Sequence, residues 1–183
     1  MRELIVTSLT VNGQLRELAI EPRETLADIL RDRLGLTGTK VSCDAQVCGA
    51  CTVLVDGLPV SGCTFLAVDA EGKRVRTVEG LATDGVLSPL QQAFVDEAAF
   101  QCGFCTPGML MAATALLEDE PHPSRDQVIH GLEGNLCRCT GYEPIVNAVL
   151  AVANRANGAN GANGANGANG ANGANGAADR GPA

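Results

Sequence analysis

Eight cysteines in a chain of 183 residues, four of them before residue 64 and four after residue 101, constrain this sequence more than any other feature. The segment Met1 to Val11 alternates apolar and polar side chains and shows neither a basic region followed by an apolar block nor a twin-arginine leader. The expected compartment is therefore the cytoplasm, where thiols stay reduced and structural disulfides are rare. Metal binding supplies another use for so many thiols, because a cationic centre is satisfied by thiolates and in turn keeps them deprotonated.

Cys43, Cys48, Cys51 and Cys63 are spaced C-x4-C-x2-C-x11-C. The first three match the plant-type spacing, in which one loop wraps a 2Fe-2S cluster and a later cysteine closes it. A cluster held by four thiolates is anionic, so its loop must turn backbone N–H groups inward, and small residues allow that close approach. Gly38, Gly49 and Ala50 suit the requirement. Cys102, Cys105, Cys137 and Cys139 form the second set, C-x2-C-x31-C-x-C. Its two pairs precede Pro107 and Pro144, so two inter-helix loops would clamp one centre between them. Four thiolates in two close pairs could also hold a structural zinc ion. Zinc patterns, however, separate their pairs by roughly fifteen to twenty residues, and C-x-C is tight for them. His122 and His130 are the only imidazoles that could make a Rieske-type centre. Eight cysteines already complete two sets of four, and His122 lies within Pro-His-Pro, so neither histidine is expected to ligate.

The two sets sit in differently built halves. Leu4, Val6, Leu9 and Val11, then Asn12-Gly13, then Leu15, Leu18 and Ile20 predict a hairpin with a tight turn. Thr25 and Asp28 resemble a capping box, and Leu26, Ile29, Leu30 and Leu34 recur at helical spacing until Gly35. Residues 52–55, 59–63 and 74–78 predict further strands, so residues 1–78 read as an α+β domain. Residues 79–87 read as a linker. From Ser88 the pattern turns helical: Ser88-Pro89 with Gln91, Thr106-Pro107, Ser124 with Gln127, and Pro144 before Ile145 each open a helix. Residues 88–155 are expected to form a small four-helix domain. From Ala156 to Gly176 the triplet Ala-Asn-Gly repeats seven times. With no side chain able to offset the entropy of ordering it, and no proline to support a collagen-like helix, residues 156–183 are expected to be a disordered tail.

A formal charge of -8 argues against nucleic acid as a partner, and no apolar run is long enough to span a bilayer. The chain contains no G-x-G-x-x-G fingerprint, no P-loop and no nucleophile with an evident base, so it should neither bind a dinucleotide nor turn over an organic substrate by itself. A free-standing ferredoxin would not require the second set. A zinc-held interaction module would be colourless, where iron-sulfur clusters are reddish brown.

Three motifs together bring a family resemblance. Cys43-Asp-Ala-Gln-Val-Cys48-Gly-Ala-Cys51-Thr52, Gln101-Cys102-Gly-Phe-Cys105-Thr-Pro-Gly108 and Gly134-Asn-Leu-Cys137-Arg-Cys139-Thr-Gly-Tyr142 closely resemble the iron-sulfur subunit of molybdenum hydroxylases, the group of xanthine dehydrogenase, aldehyde oxidoreductase and aerobic carbon monoxide dehydrogenase. The resemblance covers residues 1 to about 153. It implies a β-grasp, plant-type ferredoxin-like domain followed by an all-α four-helix domain, each holding one 2Fe-2S cluster. It also implies two partners, a large subunit with molybdopterin and a medium subunit with FAD, in a heterotrimer that commonly pairs with a second. Electrons would pass from molybdopterin to the helical-domain cluster, then to the ferredoxin-like cluster, then to FAD. On the same resemblance Gln101 would hydrogen-bond the pterin, and Cys139 would be the cluster ligand nearest to it. Arg138, between two ligands, is left without a role.

Overall fold

The computed structural model of the chain describes residues 4–160. Its first half is a five-stranded mixed sheet. Strands β1 (Ile5–Val11) and β2 (Gln14–Ile20) form the expected hairpin, with Asn12 and Gly13 both at positive φ, as a two-residue turn of this hand requires. Strands β3 (Thr52–Val55) and β4 (Leu58–Ser61) repeat the device with Asp56 and Gly57. Strand β5 (Arg74–Arg76) then inserts between the hairpins, parallel to β1 and antiparallel to β3, giving the order β2-β1-β5-β3-β4.

Parity decides what β1 buries. Leu9 and Val11 face the core, and the same face is continued by Thr7, only 1% exposed. Val6, an apolar residue on the opposite parity, is 74% exposed although it lies in the same strand. Thr7 is tolerated inside because its hydroxyl donates to the Glu71 carboxylate at 2.5 Å.

The helix after the hairpin is shorter and looser than its sequence spacing predicts. The capping box at Thr25 and Asp28 is present, but α1 (Leu26–Asp28) passes at once into a π-helical turn over Ile29–Arg33, in which the Leu34 N–H donates to Ile29 O. The wider turn still seats Leu26, Ile29 and Leu30 in one core with Leu9, Ile20, Val53, Val55 and Val75.

The second half contains helices α2 (Pro89–Asp96), α3 (Thr106–Asp119), α4 (Arg125–Gly131) and α5 (Glu143–Asn160). Ser88 and Ser124 cap α2 and α4 in complete capping boxes, as their sequences predict. Phe94, Met109, Val128, Ile145 and Val149 anchor the separate core of this bundle. Helix α5 runs to Asn160, five residues into the Ala-Asn-Gly repeat and beyond the expected boundary at 155. The rest of the repeat lies outside the described residues.

The two halves meet along α3, which lies against β3 and β4. The seam is tightest at Gly108 near the start of α3, where an added Cβ would stand 2.2 Å from Gly49 O. Asn135, only 6% exposed, bridges the seam from the other side, its Nδ2 donating to Gly49 O at 2.8 Å and to Thr52 Oγ1 at 3.2 Å.

Candidate metal centres

The loop from Val41 to Cys51 turns on three residues at positive φ, Asp44, Gln46 and Gly49. Those reversals direct successive amides toward one sulfur. Cys43 Sγ accepts the N–H groups of Val47 and Cys48, each at 3.4 Å, and that of Ala45. With little burial to oppose these donors, the Cys43 thiol is lowered from 9.0 to about 7. The inward amides that an anionic cluster requires are therefore built into the fold. Gly49 serves the seam as well as the loop, since a Cβ on it would stand 2.4 Å from Gly134 O.

The four thiols of this set are arranged two by two. Cys48 is in hydrogen-bonding contact with Cys43, and Cys63 with Cys51. Cys51 and Cys63 are buried, whereas Cys43 is exposed. Burial pushes the Cys51 thiol up to about 11, and the neighbouring Cys63 adds to the effect.

The second set repeats the arrangement across two loops. Cys102 and Cys139 meet at the surface with their sulfurs 3.5 Å apart, while Cys105 and Cys137 pair behind them, partly buried. Burial pushes the Cys105 thiol up to about 12, with Cys137 adding to it. Burial also acts to raise Cys137, but the Thr140 hydroxyl and the N–H groups of Thr140 and Cys139 outweigh it and leave this thiol below its ordinary value. Gly103, at positive φ, turns the chain between Cys102 and Cys105.

Two close pairs suit a binuclear centre, which takes two thiolates on each iron; a single tetrahedral ion would draw all four to one point. Among the described residues no three Cys, His, Asp or Glu side chains converge closely enough to hold one ion. His130 faces Glu133 instead, Nδ1 to carboxylate at 3.0 Å. Together the buried Cys51–Cys63 pair, the half-buried Cys105–Cys137 pair, the inward amides and the exposed edges fit two 2Fe-2S clusters.

The two loops touch. The Leu136 N–H, one residue before Cys137, donates to the carbonyl of Cys48 at 2.8 Å. This hydrogen bond and the Asn135 bridge join the two sets directly across the seam, a connection over more than eighty residues that no local pattern announces. On the outer side, Gln101 is exposed beside Cys102, and its amide has no hydrogen bond among the described residues. Arg138 is also exposed and makes no ion pair there. Phe100, Phe104 and Tyr142, within three residues of Cys102 or Cys139 in sequence, are exposed. No helix among the described residues is long and apolar enough to cross a membrane.

Two family models match the chain. Residues 9–82 match the model of a 2Fe-2S iron-sulfur cluster binding domain, and residues 77–150 that of a [2Fe-2S] binding domain. The chain is 57% identical over 140 residues to the nicotine 6-hydroxylase small subunit of Paenarthrobacter nicotinovorans, covering 76% of this chain and 84% of that one. It is 49% identical over 150 residues to the xanthine dehydrogenase iron-sulfur-binding subunit of Escherichia coli O157:H7, covering 81% and 94%. Among solved structures, quinoline 2-oxidoreductase from Pseudomonas putida 86 superposes with a TM-score of 0.81 at 51% identity, over 84% of this chain and 96% of that chain. The chain belongs to the iron-sulfur small subunits of the molybdenum hydroxylase family and is the electron-transfer subunit of an oxidoreductase.

Proposed function

We propose that the chain relays electrons from a molybdopterin centre in a large partner subunit to FAD in a medium one. In this reading residues 1–78 are a β-grasp domain whose Cys43, Cys48, Cys51 and Cys63 hold one 2Fe-2S cluster. The helical domain that follows from residue 88 holds the other through Cys102, Cys105, Cys137 and Cys139. When bound, the clusters supply one-electron carriers.

The observation that carries the reading is the joined pair of loops: each set has an exposed thiol edge and a more buried pair, and the two loops meet through the Leu136 N–H and the carbonyl of Cys48, the half-buried partner of Cys43. An exposed edge at either end and a direct link between them is what a relay between two partners requires. Cys102 and Cys139 form the edge we assign to the molybdopterin subunit. The unpartnered amide of Gln101 can both donate to and accept from a pterin edge, and Cys139 is the ligand we assign closest to it. Phe100, Phe104 and Tyr142 supply the apolar contact area of an interface. Cys43, exposed at the other set, marks the side assigned to the FAD subunit. A dimer of such heterotrimers in the cytoplasm completes the assignment.

The test is low-temperature EPR of the purified complex after dithionite reduction, with iron, sulfide, zinc and molybdenum measured on the same sample. Two distinct 2Fe-2S signals, about four irons per chain from two such clusters and copurifying molybdenum are expected. A silent spectrum with stoichiometric zinc would overturn the assignment. Substrate reduction then sets the order: in Cys102→Ser the ferredoxin-like cluster should no longer be reduced by substrate, and reduction at the normal rate would refute the proposed path.

A further inference from the structure

One contact at the second cysteine set plays no part in the relay as described. Thr140 Oγ1 lies 3.1 Å from Cys137 Sγ and accepts the Tyr142 N–H at 3.2 Å. The Tyr142 phenol oxygen in turn accepts the N–H of Cys137 at 3.0 Å. These three residues close a small ring, which the chain can form because Gly141 and Tyr142 are both left-handed, at φ 68° and 69°. A bulky residue at positive φ is unusual, and here it holds the phenol and the hydroxyl on the same cysteine.

On the reading above, in which Cys137 is a cluster ligand, the direction of the Thr140 contact follows. A ligated thiolate carries no proton and can only accept. The Thr140 oxygen already receives the Tyr142 N–H, which leaves its own O–H for the Cys137 sulfur. Every other described donor to the eight sulfurs that is not itself a cysteine thiol is a backbone amide: Ala45, Val47 and Cys48 on Cys43, Cys63 on Cys51, Cys105 on its own sulfur, Cys102 on Cys139, and Cys139 and Thr140 on Cys137. Among the described residues Thr140 is the one non-cysteine side chain hydrogen-bonded to any of them.

We propose that the Thr140 hydroxyl raises the reduction potential of the helical-domain cluster. Reduction adds one electron and therefore negative charge, part of which resides on the ligand sulfurs. A donor aimed at such a sulfur is bound more strongly in the reduced state than in the oxidised one, so it favours reduction; hydrogen bonds to the sulfurs are an established determinant of cluster potential. No bond is made or broken in the step. Because the hydroxyl belongs to a side chain, this contribution can be removed without altering the backbone, unlike the amide contributions.

The experiment is an EPR-monitored redox titration of the holo-complex carrying Thr140→Val, which keeps the shape and loses the hydroxyl, and Thr140→Ser, which keeps the hydroxyl. The valine variant is expected to hold its electron roughly tenfold less tightly at one cluster, a fall of about 59 mV for a one-electron couple. The other cluster should keep its potential, and serine should restore the first. Absence of two 2Fe-2S signals in the unsubstituted complex would sink the ligand assignment itself. Two normal signals with unchanged potentials in the valine variant would leave that assignment standing and overturn the role of Thr140. Loss of one cluster from the valine variant would likewise overturn it, replacing a potential-setting hydroxyl with one needed for retention. Resonance Raman in deuterated buffer gives an independent readout: the exchange shift of the helical-domain cluster's Fe–S stretching bands should be smaller in the valine variant than in the unsubstituted complex, and equal shifts would overturn the role of Thr140.

Discussion

Single residues here do work that their residue type conceals. Thr7 is buried among apolar side chains because Glu71 satisfies it; the same carboxylate accepts the N–H and hydroxyl of Ser8, at 2.6 and 2.9 Å. These three donors, the Thr7 hydroxyl foremost, hold the Glu71 carboxyl below its ordinary value of 4.5. A value depressed by folding means that the unfolded chain takes up the proton first. The stabilisation is complete above the ordinary value and is lost as pH falls through the lowered, folded one. Glu71→Gln is therefore expected to flatten the acid limb: below pH 4.5 the urea midpoint of the unsubstituted protein should fall more steeply than that of the variant. Parallel curves would exclude Glu71 from the acid response. None of this could be read from the sequence, because Thr7 and Glu71 lie 64 residues apart and no local pattern joins them.

At the scale of the elements, legibility followed distance along the chain. Turns and helix starts were readable because their chemistry is local. Asn12-Gly13 adopts the left-handed pair its hairpin demands, and Ser88 and Ser124 close capping boxes with glutamines three residues on. The cap of α2 gives a direct check. Ser88→Ala removes the acceptor of the Gln91 N–H and should lower stability by about 1 kcal/mol, seen as a reduced thermal midpoint, while Ser88→Asp should largely retain it. An alanine variant as stable as the original would mean that packing of Leu90 and Phe94, not the cap, fixes where α2 begins. What local pattern missed was imposed by tertiary contact. The turn after α1 widened to π geometry where Leu26, Ile29 and Leu30 had to share one core, and 3.6-residue spacing cannot distinguish that outcome from a regular helix. The cysteine spacings announced two sets of four, and the structure brings each set together. The meeting of their loops at Leu136 and Cys48 depends on residues 88 apart in sequence, and so was not legible.

The whole molecule is two small cores clamped along one seam, and the seam is built from absent side chains. A Cβ at Gly108 would meet the Gly49 carbonyl at 2.2 Å and Asn135 Nδ2 at 3.1 Å, whereas one at Gly134 would meet nothing within 4 Å. The Gly49 contact is backbone and cannot swing aside. Gly108→Ala should therefore destabilise the chain by about 3 kcal/mol, the upper end of ordinary overpacking, while Gly134→Ala should change it little. Equal chemical denaturation curves for the two variants would show that the seam is softer than its geometry. A rigid seam also bears on rate. Electron tunnelling weakens exponentially with separation, so the missing methyl groups at Gly49 and Gly108 act as a spacer of fixed length. They hold the gap across which an electron would hop, and any substitution that widens it would slow the transfer without altering either redox centre.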